Sequence, residues 1–116
     1  PTVFDDVKDN FTIMKEEPFG PLVPILTFKT FDEVIERAND NDLGLCSYLY
    51  TNSMDKAHIG SEKLESGCVA VNTGVVAIAE APFGGIKQTG YGREGGSMAI
   101  KDYLNIKYTH FGISYE

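Results

Sequence analysis

Tryptophan is absent from this 116-residue chain, cysteine and histidine occur twice each, and basic residues are in the minority. Each shortage excludes something. Ten Lys and Arg against seventeen Asp and Glu leave a net charge of −7. That balance argues against a nucleic-acid partner, because phosphate recognition needs clustered cations. No apolar run approaches the roughly 20 residues of a spanning helix, so a soluble chain with no membrane partner is expected. Pro1 to Asn10 carry neither a basic start nor an apolar stretch, so no secretory leader is expected. Two cysteines are too few for a disulfide scaffold, and they lack the close pairing of a zinc site. His58 and His110 are remote in sequence from both, so no metal centre is expected. Cys46 and Cys68 read as reduced structural thiols, which predicts a cytoplasmic protein. Gly-Leu-Cys46-Ser and Ser-Gly-Cys68-Val place no base or cation beside either thiol, so neither reads as a nucleophile.

What is present points to an ordered α/β chain. The 42% hydrophobic content excludes disorder, and the length suits one domain. Thr2-Val3-Phe4 suggests a brief strand, and Leu22 to Phe28 a buried one that Pro24 confines to an edge or a strand start. Thr30-Phe31-Asp32-Glu33 forms a capping box. Phe31, Val34, Ile35 and Ala38 follow at helical spacing, with acidic residues early, where the helix dipole favours them. Asn39-Asp40-Asn41-Asp42 ends this helix and Gly44 follows. Leu45 to Tyr50 is the next strand. Thr51-Asn52-Ser53 caps a second helix, Met54 to Glu65, which Gly60 weakens by about 1 kcal/mol relative to Ala. Gly67 is expected as its C-terminal glycine, before a strand over Cys68 to Val71.

The order strand, helix, strand, helix, strand predicts three parallel strands joined by crossovers. Two helices cover such a sheet poorly, since parallel sheets are normally buried on both faces. The pattern therefore reads as half of an α/β domain, and Pro1 in place of Met reads as a cut. Seven of the twelve glycines fall in the 25 residues from Asn72 to Gly96, and a loop that long is functional or a linker. A last helix, Ser97 to Leu104 with Ser97 as cap, precedes an apolar, strand-prone tail that has no partner within the chain.

Two motifs carry candidate chemistry. Gly90-x-Gly92-x-x-Gly95 has the spacing of a dinucleotide fingerprint but follows a loop and opens no βαβ unit, so it reads as backbone turns. Glu16-Glu17-Pro18-Phe19-Gly20-Pro21 sets a carboxylate and an aromatic ring on a rigid turn. It can hydrogen-bond a ribose and flank a planar ring, or be a solvated acidic turn before a strand. Lys87, Arg93 and Lys101 can hold an anion or form interface or surface pairs of little energetic weight.

Three blocks then converge: Met14-Lys15-Glu16-Glu17-Pro18-Phe19-Gly20-Pro21, Gly67-Cys68-Val69-Ala70-Val71-Asn72, and Ala81-Pro82-Phe83-Gly84-Gly85-Ile86-Lys87-Gln88-Thr89-Gly90-Tyr91-Gly92-Arg93-Glu94-Gly95. In this order they make the whole chain resemble the C-terminal portion of an NAD(P)-dependent aldehyde dehydrogenase. Asn72-Thr73-Gly74 and Tyr103-Leu104-Asn105-Ile106-Lys107-Tyr108 are similar to the succinate-semialdehyde branch. The resemblance implies a partial parallel-sheet α/β catalytic domain over residues 1–104 and an oligomerisation tail over 105–116. The tail strand, about Ile106 to Phe111, would pair with another subunit of a dimer or tetramer. The family oxidises an aldehyde to an acid through a cysteine thiolate, with hydride passing to NAD or NADP and a glutamate-activated water releasing the product.

By the same resemblance, Glu17 contacts the nicotinamide ribose and Phe19 lies near the nicotinamide ring. Phe83 lines the substrate tunnel. Gly74 to Ile78, with Ala77 and Ile78 apolar, shape its mouth. Arg93 matches an arginine of structural and interface importance. The nucleophilic cysteine and the general base lie upstream in the family, so no catalytic residue is expected here and the chain alone is expected to be inactive. Ile78 stands where succinate-semialdehyde enzymes typically carry a serine for the substrate carboxylate. Loss of that hydrogen bond costs roughly 1.5–3 kcal/mol and opens the way to an apolar or aromatic aldehyde. A competing expectation is a non-catalytic assembly or binding module.

Overall fold

The computed structural model describes residues 1–114. Its elements are β1 (Thr2–Phe4), β2 (Leu22–Pro24), α1 (Phe31–Asn39), β3 (Leu43–Gly44), β4 (Cys46–Leu49), α2 (Met54–Lys63), β5 (Cys68–Val71) and β6 (Ile86–Lys87). Single 3₁₀ turns occupy Thr12–Met14 and Ala99–Tyr103.

Helix α1 starts where its cap dictates. Thr30 is extended, and its hydroxyl accepts from the Glu33 amide at 3.2 Å. Glu33 in turn accepts from the Lys29 amide at 2.8 Å. That amide, above all, holds the Glu33 carboxyl below the usual carboxylate range. Ser53 caps α2 in the same way through the Lys56 amide at 3.3 Å. Helix α2 stops at Lys63, with Leu64 extended after it, so Gly67 is not its terminating glycine. Gly60 has a packing reason: a Cβ there would lie 2.5 Å from Cδ2 of Leu49, on the strand below.

The expected three-stranded parallel sheet is not formed. β4 and β5 are parallel and in register from Cys46–Cys68 to Leu49–Val71, with α2 as their crossover. β2 instead pairs with β1, also parallel, in a separate ribbon. Pro24 lacks an amide donor, which suits it to the end of a short strand. Between α1 and β4 the chain spends Leu43–Gly44 on an antiparallel pairing with β6. The last helix is likewise corrected. It is a 3₁₀ turn starting at Ala99, preceded by Met98, with no side-chain cap from Ser97. Residues 105–114 form no strand with any described residue and are exposed; Tyr115 and Glu116, the end of the expected tail, lie outside the described residues.

The core is small. Ile35 and Ala70 are the buried hydrophobics among the described residues, at 7% and 4% exposure. The radius of gyration is 20.3 Å, and the long axis spans 82 Å, whereas a compact chain of this length has about 13 Å. Polar staples therefore do much of the tying. Arg37 joins Asp9 at 2.8 Å, the Thr27 carbonyl at 2.8 Å and Glu33 at 3.3 Å. Asn39 joins the ends of both helices, donating to the Lys63 carbonyl at 2.8 Å and accepting from the Glu65 amide at 2.9 Å.

Thr30→Ala should lower stability by about 1 kcal/mol, read from the urea midpoint. Because the Glu33 carboxyl is depressed, its contribution is present at neutral pH and lost as pH falls through the folded value. Gly67→Ala should cost more, about 1–3 kcal/mol, since its Cβ would overlap the Gly84 carbonyl oxygen. An unchanged midpoint for Gly67→Ala would contradict that close approach.

Candidate functional site

The glycine-rich segment is an ordered loop. After β5 the chain runs out through Gly74, Ala77 and Ile78, all exposed, and turns with the Ala81 amide donating to the Ile78 carbonyl at 3.2 Å. Gly95 and Gly96 close on this turn. Both have positive φ, 68° and 61°, and the Gly96 amide donates to the Ala79 carbonyl at 2.9 Å. Gly90 and Gly92, at φ 120° and 88°, make further left-handed turns. The glycine spacing thus serves backbone turns, as its sequence context suggested.

Phe83 sits in an antiparallel bridge with Glu94, two backbone hydrogen bonds of 2.7 Å. Arg93 holds the same hairpin from inside, its Nη1 donating to the Gly85 and Gly92 carbonyls at 2.8 Å each. Its amide donates to Asp102 at 2.9 Å, which brings in the second 3₁₀ turn. Phe83, Arg93, Glu94, Asp102 and Tyr103 border a cleft of about 390 Å³.

Lys87 is not an anion site. Its ammonium donates to the Asn39 and Asn41 carbonyls at 2.9 Å each and pairs with Glu65. A cation at the end of α1 faces the negative pole of the helix. All its donor capacity is directed at the chain itself. This knot was missed from the sequence, because its partners lie 22 to 48 positions away.

Glu17 lies on the rim of a second cleft, about 470 Å³, with Met14, Pro24, Cys46, Tyr48 and Thr89. The turn that carries it is tight: the Gly20 amide donates to the Pro18 carbonyl at 2.7 Å, and the Leu22 amide to the Gly20 carbonyl at 2.8 Å. Glu17 is exposed and enters no ion pair among the described residues. Phe19 projects fully, at 97% exposure. Glu17 thus borders one cleft and Phe83 the other; the two clefts share Leu45 and Thr89, while Phe19, Gly74, Ala77 and Ile78 line neither.

The two cysteines, far apart in sequence, are register partners across β4 and β5. Both are free thiols and half-buried. Burial, and then the neighbouring Cys68, push the Cys46 thiol up, away from the thiolate form. Cys68 donates to the Gly84 carbonyl at 3.8 Å. Burial thus disfavours the thiolate form of Cys46. Among the described residues no cluster of three or more His, Cys, Asp or Glu is placed to hold a metal ion. No helix there is long and apolar enough to cross a membrane.

The sequence model of the aldehyde dehydrogenase family matches residues 1–109. The NADP(+) succinate-semialdehyde dehydrogenase of Escherichia coli (strain K12) is 46% identical over 97% of this chain and 23% of its own length. Retinaldehyde dehydrogenase 3 of Rattus norvegicus is 51% identical over 92% of the chain and 21% of its own length. The NAD+ complex of an aldehyde dehydrogenase from Bacillus cereus superposes with a TM-score of 0.89, at 48% identity, over 92% of this chain and 22% of that one. The chain thus spans about a fifth of the length of these relatives, and its α/β fold is part of theirs. On the family match, which takes in the Glu17 turn, the β4–β5 pair and the glycine-rich loop, the chain belongs to the aldehyde dehydrogenase family.

Proposed function

We propose that this segment works within a longer enzyme that oxidises an aldehyde, of the succinic semialdehyde type, to a carboxylic acid with NAD or NADP. The family match over residues 1–109 carries the reading. The residues present fit the cofactor. Glu17 is an acceptor-only carboxylate with no ion-pair partner among the described residues, which suits ribose hydroxyl donors. Phe19 offers an uncovered ring two residues on, held by the Pro18–Gly20 turn. When bound, the nicotinamide would supply hydride acceptance; Glu17 and Phe19 would orient its ribose and ring.

In the same reading Gly74, Ala77 and Ile78 form the substrate mouth and Phe83 the tunnel wall, with Ile78 and Phe83 held by the backbone hydrogen bonds described above. The nucleophilic cysteine and the base belong to the remainder of the enzyme. The environments of Cys46 and Cys68 support this, since burial disfavours the Cys46 thiolate. The segment alone is then inactive. Residues 1–104 are the catalytic-domain part. Residues 105–116 are the oligomerisation tail of a dimer or tetramer, which is supported by Ile106, Tyr108 and Phe111, exposed and in no strand pair among the described residues. The free thiols are in keeping with a cytoplasmic setting.

One observation favours a neutral apolar aldehyde as a second reading. Ala77 and Ile78 give a carboxylate no hydrogen-bond donor from their side chains, and Ile78 is 54% exposed on the loop. In the full-length enzyme, kcat/KM for succinic semialdehyde against a neutral aldehyde of similar length decides between the two. Ile78→Ser should raise that ratio roughly tenfold, in line with a hydrogen bond to a charged group of about 1.5 kcal/mol; an unchanged ratio removes Ile78 from the mouth. Glu17→Gln should weaken cofactor positioning and lower kcat/KM for the cofactor about tenfold or more. Unchanged constants would take Glu17 out of the site. Turnover by the segment alone would overturn the assignment of the nucleophile to the remainder.

A further inference from the structure

We propose that Cys46 and Cys68 are a modification site: a dithiol that closes reversibly into a cross-strand disulfide when the protein meets a hydroperoxide. Three observations carry this. The two residues are direct register partners at the start of the parallel β4–β5 pair. Neighbouring strands run about 4.7–4.9 Å apart, which is inside the Cα separation that disulfides span. Side chains in register on adjacent strands leave the same face of the sheet. Helix α2 packs over Leu49 through Gly60, on the alternate face, so the two sulfurs share the side away from that helix. Finally, both thiols are free and only half-buried, and Cys46 lines the open cleft whose rim carries Glu17.

The chemistry balances with one hydroperoxide per pair. One thiolate attacks a peroxide oxygen, the O–O bond breaks, the sulfur becomes a sulfenic acid, and the other oxygen leaves with a proton from solvent, as water from hydrogen peroxide. The second thiol loses its proton and attacks the sulfenic sulfur. The S–S bond forms, the S–O bond breaks, and the leaving hydroxide takes up the proton as a second water. The two sulfurs lose two electrons together, and the hydroperoxide is reduced. Burial disfavours the Cys46 thiolate, so closure should speed up as pH rises. A bridge between directly paired parallel strands must draw their Cβ atoms closer than the ladder holds them, which favours an easily reduced bond.

The test is a peptide map of the intact protein after a stoichiometric dose of hydrogen peroxide and alkylation of the remaining thiols. The expected product is a trypsin-derived cross-link between residues 38–56 and 64–87, which hold Cys46 and Cys68 respectively. Both thiols should be lost to alkylation together and both regained with dithiothreitol. Cys46→Ser and Cys68→Ser should each abolish the cross-link, and the surviving cysteine should then appear as a sulfenic acid adduct with dimedone. Recovery of both cysteines as alkylated thiols would overturn the proposal. So would separate oxidation to sulfinic acids with no cross-linked peptide, or a cross-link that forms only in denaturant.

Discussion

The backbones of Gly67 and Gly84 meet so closely that a methyl group at position 67 would overlap the Gly84 carbonyl oxygen. This contact returns the long glycine-rich excursion to the foot of β5. From that point β6 can reach β3, where the two strands pair at Leu43–Lys87 and Gly44–Ile86. The pairing in turn delivers the Lys87 ammonium to the end of α1 and to Glu65, just beyond α2. It also brings Arg93 within reach of the Gly85 carbonyl. Both side chains act as tethers whose placement depends on a backbone contact that tolerates no side chain.

Such tethers matter in a chain with little interior. Hydrophobic burial of about 25 cal/mol per Å² usually dominates folding, yet Ile35 and Ala70 alone among the described hydrophobics are buried here. Val3, Val23, Phe28, Ile106 and Phe111 remain outside. The β1–β2 ribbon is separate from the other strand pairs, residues 105–114 pair with no described strand, and the long axis spans 82 Å. Relatives more than four times as long match this segment across nearly all of its residues.

Local chemistry made part of the fold legible. Thr30 and Ser53 announced both helix starts because a cap acts within three residues, and Cys68–Val71 is a strand as its pattern indicated. Elements set by distant partners were not legible. Leu22 to Phe28 contracted to three residues because β1 was its available partner. Gly67 looked like a helix terminator but is demanded by Gly84, seventeen residues later. Ser97 had the right chemistry for a cap, but the turn begins beyond it. For the candidate site, the Glu17 turn and the Phe83 loop were singled out by motif, whereas the Cys46–Cys68 pairing needed the strand register.

The end of the β4–β5 pair rests on one side chain. Asn72 has a positive φ of 55°, and its amide group accepts from the Thr51 amide at 2.9 Å and donates to the Thr51 carbonyl at 3.0 Å. In a continued parallel ladder those two bonds would fall to the Asn72 carbonyl and the Gly74 amide. The side chain thus imitates a peptide unit and completes one more rung, while the main chain is released to turn away. Aspartate has no donor for the second bond, and glutamine is longer by a methylene. Position 72 therefore works as a branch point. The ladder continues through the side chain, and the backbone leaves it to become the loop that bears Gly74, Ala77 and Ile78.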